Sequence, residues 1–159
     1  MKSTFLLVIA FLSVFANVSS QNIRSAISFA EAPFYHGVAS GDPLPNQVII
    51  WTKVTPPSGL ITETEVFWQI ATDTAFQNIV NFGKIKTTEQ QDFTVKIDLC
   101  GLQPNTYYYY VFKAFGNNSV IGRTKTAPTG NHTQAKYAVA SCSNYEHGFF
   151  NAYESMYNR

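Results

Sequence analysis

Between positions 93 and 99 the chain alternates without a break. Phe93, Val95, Ile97 and Leu99 are apolar, and Thr94, Lys96 and Asp98 between them are polar. Successive side chains of an extended strand point to opposite faces, so a period of two demands one face on a core and the other in water. A helix cannot satisfy that pattern. The flanking sequence must then supply sheet neighbours and a second layer to cover the Phe93 face. Residues 47–54, 65–72, 79–86, 107–115 and 120–126 read as further strands, and 34–38 as a short edge strand. Turn chemistry separates them: Ser40-Gly-Asp-Pro43, Pro56-Pro57, the stretch 73–78 as a turn or single helical turn, and Gly116-Asn-Asn118 as a hairpin turn. Gly83, inside one of these runs, is read as a bulge or kink.

About seven strands in roughly 95 residues, with turns at this spacing, describe a two-layer sandwich. The 13 Phe and 9 Tyr fit the pleated surface of strands, and 13% charged residues against 45% hydrophobic ones describe a globular chain and not a disordered one. The formal net charge is +1, and Lys2 lies in the leader described next, so the remainder is close to neutral. Nothing in that balance steers toward nucleic acid or an anionic membrane.

Met1-Lys2 is a short positive start, and the apolar run from Phe5 to Phe15 holds 11 residues with one Ser. Small residues at Val18-Ser-Ser20 precede Gln21, which together spells a secretory signal peptide cleaved near Ser20. The run is shorter than the ~18–20 residues that span a bilayer, and no other stretch is apolar enough to be a transmembrane segment. The expected location is secreted or periplasmic. The expected division is 1–20 signal peptide, 21–32 linker, 33–129 sandwich domain, and 136–159 the opening of a second domain.

Within the sandwich, Gly101-Leu-Gln-Pro-Asn-Thr-Tyr-Tyr108 resembles the entry to the sixth strand of fibronectin type III domains, where a tyrosine corner forms. Tyr108 would sit at that corner with its hydroxyl bonded back to the upstream backbone. Trp51 resembles the buried tryptophan of the second strand in those domains. In the run Tyr107 to Tyr110, alternation sends Tyr108 and Tyr110 inward and leaves Tyr107 and Tyr109 outside, a core reading that outweighs a ligand-stacking platform.

The stretch 136–159 is of another kind. Tyr137-Ala-Val-Ala140 reads as a strand buried on both faces, Ser141-Cys-Ser-Asn144 as a tight turn, and 148–158 as a helix with Phe149, Ala152, Tyr153, Met156 and Tyr157 at helical spacing. Cys142 then lies past the carboxyl end of a strand and before a helix, where α/β folds gather ligands. A helix N-terminus helps hold a thiolate, which suits a transition metal. Two bland readings stand beside this one: a structural cysteine, or a bridge to Cys100. His36 and His147 read as ordinary surface histidines. There is no His-x-x-x-His pair, Gly-rich phosphate loop or Gly-x-Ser-x-Gly, and a metal centre needs several ligands where this chain offers one.

His36-Gly-Val-Ala-Ser-Gly-Asp-Pro43, Val48-Ile-Ile-Trp-Thr-Lys-Val-Thr-Pro56, Gly101 to Tyr110, Gly122-Arg-Thr-Lys-Thr-Ala-Pro128 and Ala140-Ser-Cys-Ser-Asn-Tyr-Glu-His-Gly-Phe-Phe-Asn-Ala-Tyr153 together resemble the alkaline phosphatase D family. These are PhoD-like phosphodiesterases, some of them secreted phospholipase D enzymes. The resemblance implies a fold class that is mainly β: an immunoglobulin-like or fibronectin-like sandwich followed by the first strand and helix of a truncated α/β metallophosphoesterase domain. It implies hydrolysis of phosphate esters, small-molecule or phospholipid, in a catalytic domain that holds iron and calcium. It also implies that Cys142 is one iron ligand. The other ligands would lie downstream of Arg159, so the 159 residues alone are expected to be inactive. Many members carry twin-arginine leaders, whereas this leader has no Arg-Arg pair. Two alternatives stand beside this reading. A secreted fibronectin-like binding module, used for adhesion or carbohydrate contact, leaves 136–153 unexplained. A purple acid phosphatase would need an Asp on the first catalytic strand, and none lies between Lys136 and Arg159.

Overall fold

The computed structural model describes residues 31–57, 59–130, 137–141 and 151–158. Among these residues, eight strands form two antiparallel sheets. They are β1 (Val38–Leu44), β2 (Gln47–Lys53), β3 (Glu63–Ala71), β4 (Ile79–Thr88), β5 (Thr94–Cys100), β6 (Tyr107–Ala114), β7 (Asn117–Asn118) and β8 (Gly122–Lys125). One sheet runs β1-β2-β5; the other runs β4-β3-β6-β7, with β8 also on β6. The inner faces meet in a core of Val48, Ile50, Val66, Ile70, Val95, Leu99, Tyr108, Tyr110 and Phe112, all buried.

β2 and β5 pair in continuous register from Gln47 opposite Cys100 to Lys53 opposite Thr94. Paired residues share a face, so Val48, Ile50 and Thr52 go inward together with Leu99, Ile97 and Val95. The alternation read from the sequence is therefore the inner face of the three-stranded sheet. Among the described residues, no fully buried side-chain nitrogen or oxygen lacks a hydrogen-bond partner. Thr52 Oγ1 donates to the Gly37 carbonyl at 2.8 Å. Thr87 Oγ1 donates to the Thr94 carbonyl at 2.7 Å, tying β4 of one sheet to β5 of the other.

The link from β5 to β6 carries the chain between the sheets and is held from two sides. The Gln103 N–H donates to the Tyr108 hydroxyl at 2.8 Å. Thr126 Oγ1 donates to the Gln103 carbonyl at 2.6 Å and accepts the Thr106 N–H at 3.0 Å. Leu102 is buried beneath this crossover, and its N–H donates to the Asn46 carbonyl.

Four local expectations need correction. Ser40 and Gly41 are not a turn but strand residues opposite Ile50 and Ile49; the turn signals produce a register shift between Gly41 and Leu44, with Asp42 at φ 48°. β1 is an edge strand, where a proline costs no ladder donor and a bulge is tolerated. Trp51 is not buried in the core: it sits half-exposed on the outer side of β2 between Ala39 and Lys96, because Ile50 and Thr52 take the inward parity. The inward tryptophan is Trp68. Gly83 is not a bulge either; it pairs in register with Trp68, and a Cβ there would meet the indole at 2.7 Å, so the absent side chain makes room for the ring. The β6–β7 turn comprises Phe115 and Gly116, both at positive φ (49° and 80°), one residue earlier than expected. That pair of angles is the signature of a type I′ hairpin.

The 72–78 connection folds around Asp73, whose carboxylate accepts the N–H groups of Ala75, Gln77 and Asn78 at 2.8–3.1 Å. Those bonds, Gln77's foremost, hold its pKa below the usual carboxylate value. On β4, Asn81 Oδ1 accepts the Phe82 N–H at 2.8 Å.

The 137–141 stretch is not the expected buried strand. It has no regular secondary structure, and Tyr137 and Val139 are each 86% exposed. A strand is built from bonds to a neighbour, and no strand among the described residues pairs with it. A short helix, α1 (Asn151–Tyr157), lies within the stretch expected to be helical.

Three stability outcomes follow from this packing. A Cβ at Gly122 would fall inside the buried Tyr110 ring, so Gly122→Ala should cost about 1–3 kcal/mol or more in urea unfolding. Tyr108→Phe leaves the Gln103 N–H without its partner and should cost about 1–3 kcal/mol, while an equivalent change at outward Tyr107 stays within about 0.5 kcal/mol. Burial pushes the Tyr110 phenol up, opposed by a hydrogen bond with Ser40. Its contribution is thus complete below the unfolded value of about 10 and is lost as pH rises through the raised folded value. Urea midpoints should fall from pH 9 to pH 11, roughly between the phenol's two ionisation states, and Tyr110→Phe should lessen that fall.

Candidate functional site

Cys142 and His147 lie outside the described residues, as does the 1–30 stretch that includes the leader. Among the described residues, no group of three or more His, Cys, Asp and Glu comes together in a way that could hold a metal. His36 occupies the turn that leads into β1. Cys100 is exposed and free on the outer side of β5, where Gln47 Nε2 donates to its Sγ at 2.8 Å. Tyr108 is 1% exposed and serves the crossover. No helix among the described residues is long and apolar enough to cross a membrane.

The described surface does carry one concentrated feature, the outer face of the larger sheet. Strand register sets it out in rows. Phe67 of β3 lies between Lys84 of β4 and Lys113 of β6; Gln69 lies between Phe82 and Val111. Further along β6, Tyr109 pairs with Arg123 and Tyr107 with Lys125. The Lys125 ammonium stands 4.8 Å, and the Arg123 guanidinium 5.8 Å, from the centre of the Tyr107 ring. Phe82 is 74% exposed and Phe67 48%. They line a groove of about 460 Å³ with Val111, Lys113, Gln69 and Asn118. A second hollow of about 420 Å³ lies against Tyr109, Arg123 and Ile121. Val111 and Tyr109 are consecutive outward positions on β6, so the two hollows follow one strand.

The charges on this face are unequal. Glu65 bonds Lys84 at 3.1 Å and Glu63 bonds Lys86 at 2.7 Å, and the latter contact raises the Lys86 pKa. Lys113, Arg123 and Lys125 have no carboxylate partner among the described residues. Sequence reading dismissed the outward tyrosines as cover. It missed this face because the face is assembled from four strands, no one of which shows it alone.

Comparison with known proteins places the whole. Alkaline phosphatase D of Bacillus subtilis (strain 168) is 38% identical over 152 residues, 91% of this chain and 26% of that protein. The solved structure of PhoD overlays with a TM-score of 0.75 at 37% identity, across 83% of this chain and 27% of that one. This chain therefore spans about a quarter of the length of each. A human fibronectin type III domain overlays with a TM-score of 0.47 at 15% identity, over 79% of this chain and 96% of that domain, too loosely to carry weight. The family described as PhoD-like phosphatase, N-terminal domain, matches residues 19–128. The sandwich, its tyrosine-pinned crossover and these matches agree: the chain belongs to the PhoD-like phosphatase N-terminal domain family.

Proposed function

We propose that this chain is the N-terminal part of a secreted PhoD-like phosphoesterase, with the sandwich leading into a metal-dependent catalytic domain. One observation carries the reading. The 38% identity leaves only about a tenth of the chain unmatched, less than 130–159 occupies, so the likeness to alkaline phosphatase D runs past the sandwich into the Cys142 stretch. A free-standing binding module would have no use for that stretch. The leader-like start at Met1-Lys2 and the apolar run after it support export.

In this reading the complete protein hydrolyses phosphate monoesters or diesters, phospholipids among the candidate substrates. Cys142 supplies one thiolate ligand; the family resemblance points to iron with calcium. A bound metal would polarise a phosphoryl oxygen and activate a nucleophile. In this reading the remaining ligands and the nucleophile belong to the catalytic domain, not to the sandwich. Their role is to form the preceding domain. These 159 residues alone are accordingly inactive.

The test has two arms. A purified 21–159 protein should not hydrolyse bis-p-nitrophenyl phosphate above background, and measurable turnover by it would overturn the division of labour. In the protein translated from the gene beyond the Arg159 codon, Cys142→Ser should lower both bound metal and kcat/KM by at least ~100-fold, since even loss of a residue that merely orients a ligand costs ~10–100-fold. Retention of both in the variant would remove Cys142 from the metal site.

A further inference from the structure

We propose that the outer face of the β4-β3-β6-β8 sheet is a binding surface for a linear acidic polysaccharide, a function separate from the phosphoesterase reading and independent of it. The face combines the three kinds of group that such a polymer needs. Phe67 and Phe82 present exposed rings in a groove, and aromatic rings take the C–H faces of sugars by contact and burial. The side-chain amides of Gln69 and Asn118 line the same groove, hydrogen-bond to nothing else among the described residues, and suit hydroxyl groups. Lys113 at one end of β6 and Arg123 and Lys125 beside its other end lack carboxylate partners among the described residues, while the described acids of this face are taken by Lys84 and Lys86. The unbalanced positive charge selects an anionic partner.

The shape selects a chain. Outward positions Lys113, Val111, Tyr109 and Tyr107 run in line along β6 for roughly 20 Å at about 3.4 Å per residue, past both hollows. A bilayer would instead call for apolar side chains projecting from a convex surface, whereas Phe67 and Phe82 line a recess. A second copy docked by two-fold symmetry would set this face against itself, cations toward cations. Carboxylates borne on sugar rings match the rings, amides and cations together.

Affinity electrophoresis and calorimetry of the full 159-residue chain test this with polygalacturonate as probe, against dextran, polyphosphate and vesicles of phosphatidylglycerol with phosphatidylcholine. Polygalacturonate should retard the chain and dextran should not. Binding should weaken sharply at about 1 M salt, where the screening length falls to about 3 Å. Phe82→Ser and the double variant Lys113→Gln/Arg123→Gln should each weaken binding by at least ~10-fold, about 1.4 kcal/mol. Should Phe82→Ser fail to fold, the double variant, which alters only exposed side chains, decides. Absence of retardation by polygalacturonate, or equal binding by the double variant, overturns the proposal. So does binding confined to polyphosphate or to vesicles, or a self-association that Phe82→Ser abolishes.

Discussion

The hydroxyl of Tyr108 does more than fill a place in the core. It belongs to the second residue of β6 and takes the N–H of Gln103, in the segment that has just left β5 for the opposite sheet. Thr126, arriving at the end of β8, holds the same Gln103 through its carbonyl and reaches the Thr106 N–H as well. The Gln103 N–H and carbonyl and the Thr106 N–H are thus held by side chains of β6 and of the residue that follows β8. Because an orphaned buried donor is costly, the crossover can take few other paths. Once it is set, Leu102 drops onto the core and β6 enters in the register that sends Tyr108, Tyr110 and Phe112 inward. The outer face of the sheet, with its rings and cations, is the complement of that same register.

How much of this could be read from residues alone depended on whether the cause was local. The alternation from Phe93 to Leu99 announces its face because parity is a property of a single strand. The sequence around Gly101 to Tyr108 announces the corner because the bonded atoms lie five residues apart. Trp51 and Gly83 misled for the opposite reason. Whether an aromatic points inward is decided by which parity its neighbours claim, and Val48, Ile50 and Thr52 claimed it. Whether a glycine marks a bulge or a berth is decided by what lies across the ladder, and Trp68 lies there. The Ser40-Gly-Asp-Pro43 run holds real turn chemistry, but the edge strand absorbs it as a local irregularity. Tyr137 to Ala140 illustrates the limit best: an apolar run is a strand only when something pairs with it.

The sandwich is thus stable for reasons that owe nothing to phosphate chemistry. Its core is closed by aromatic and aliphatic packing, and its buried hydroxyls have partners within it. The candidate ligand, Cys142, belongs to a stretch that follows the last strand of the sandwich by more than a turn of sequence. This separation is why the domain's fold is legible while its share in any reaction has to be argued from relatives.

Strand β4 lies at an edge of the larger sheet. It is ten residues long, and among the described residues it pairs with β3 alone, so its other edge has no strand beside it there. An open edge invites a foreign strand to add itself to the ladder. Its second half is guarded by Lys84 and Lys86, hydrated charges that resist burial in a new sheet. Its first half is apolar and unguarded by charge, yet Asn81 turns its own side chain onto the Phe82 N–H. A strand approaching from another molecule would find that donor already engaged. One asparagine therefore helps keep the apolar half of this edge from accepting a strand of another molecule.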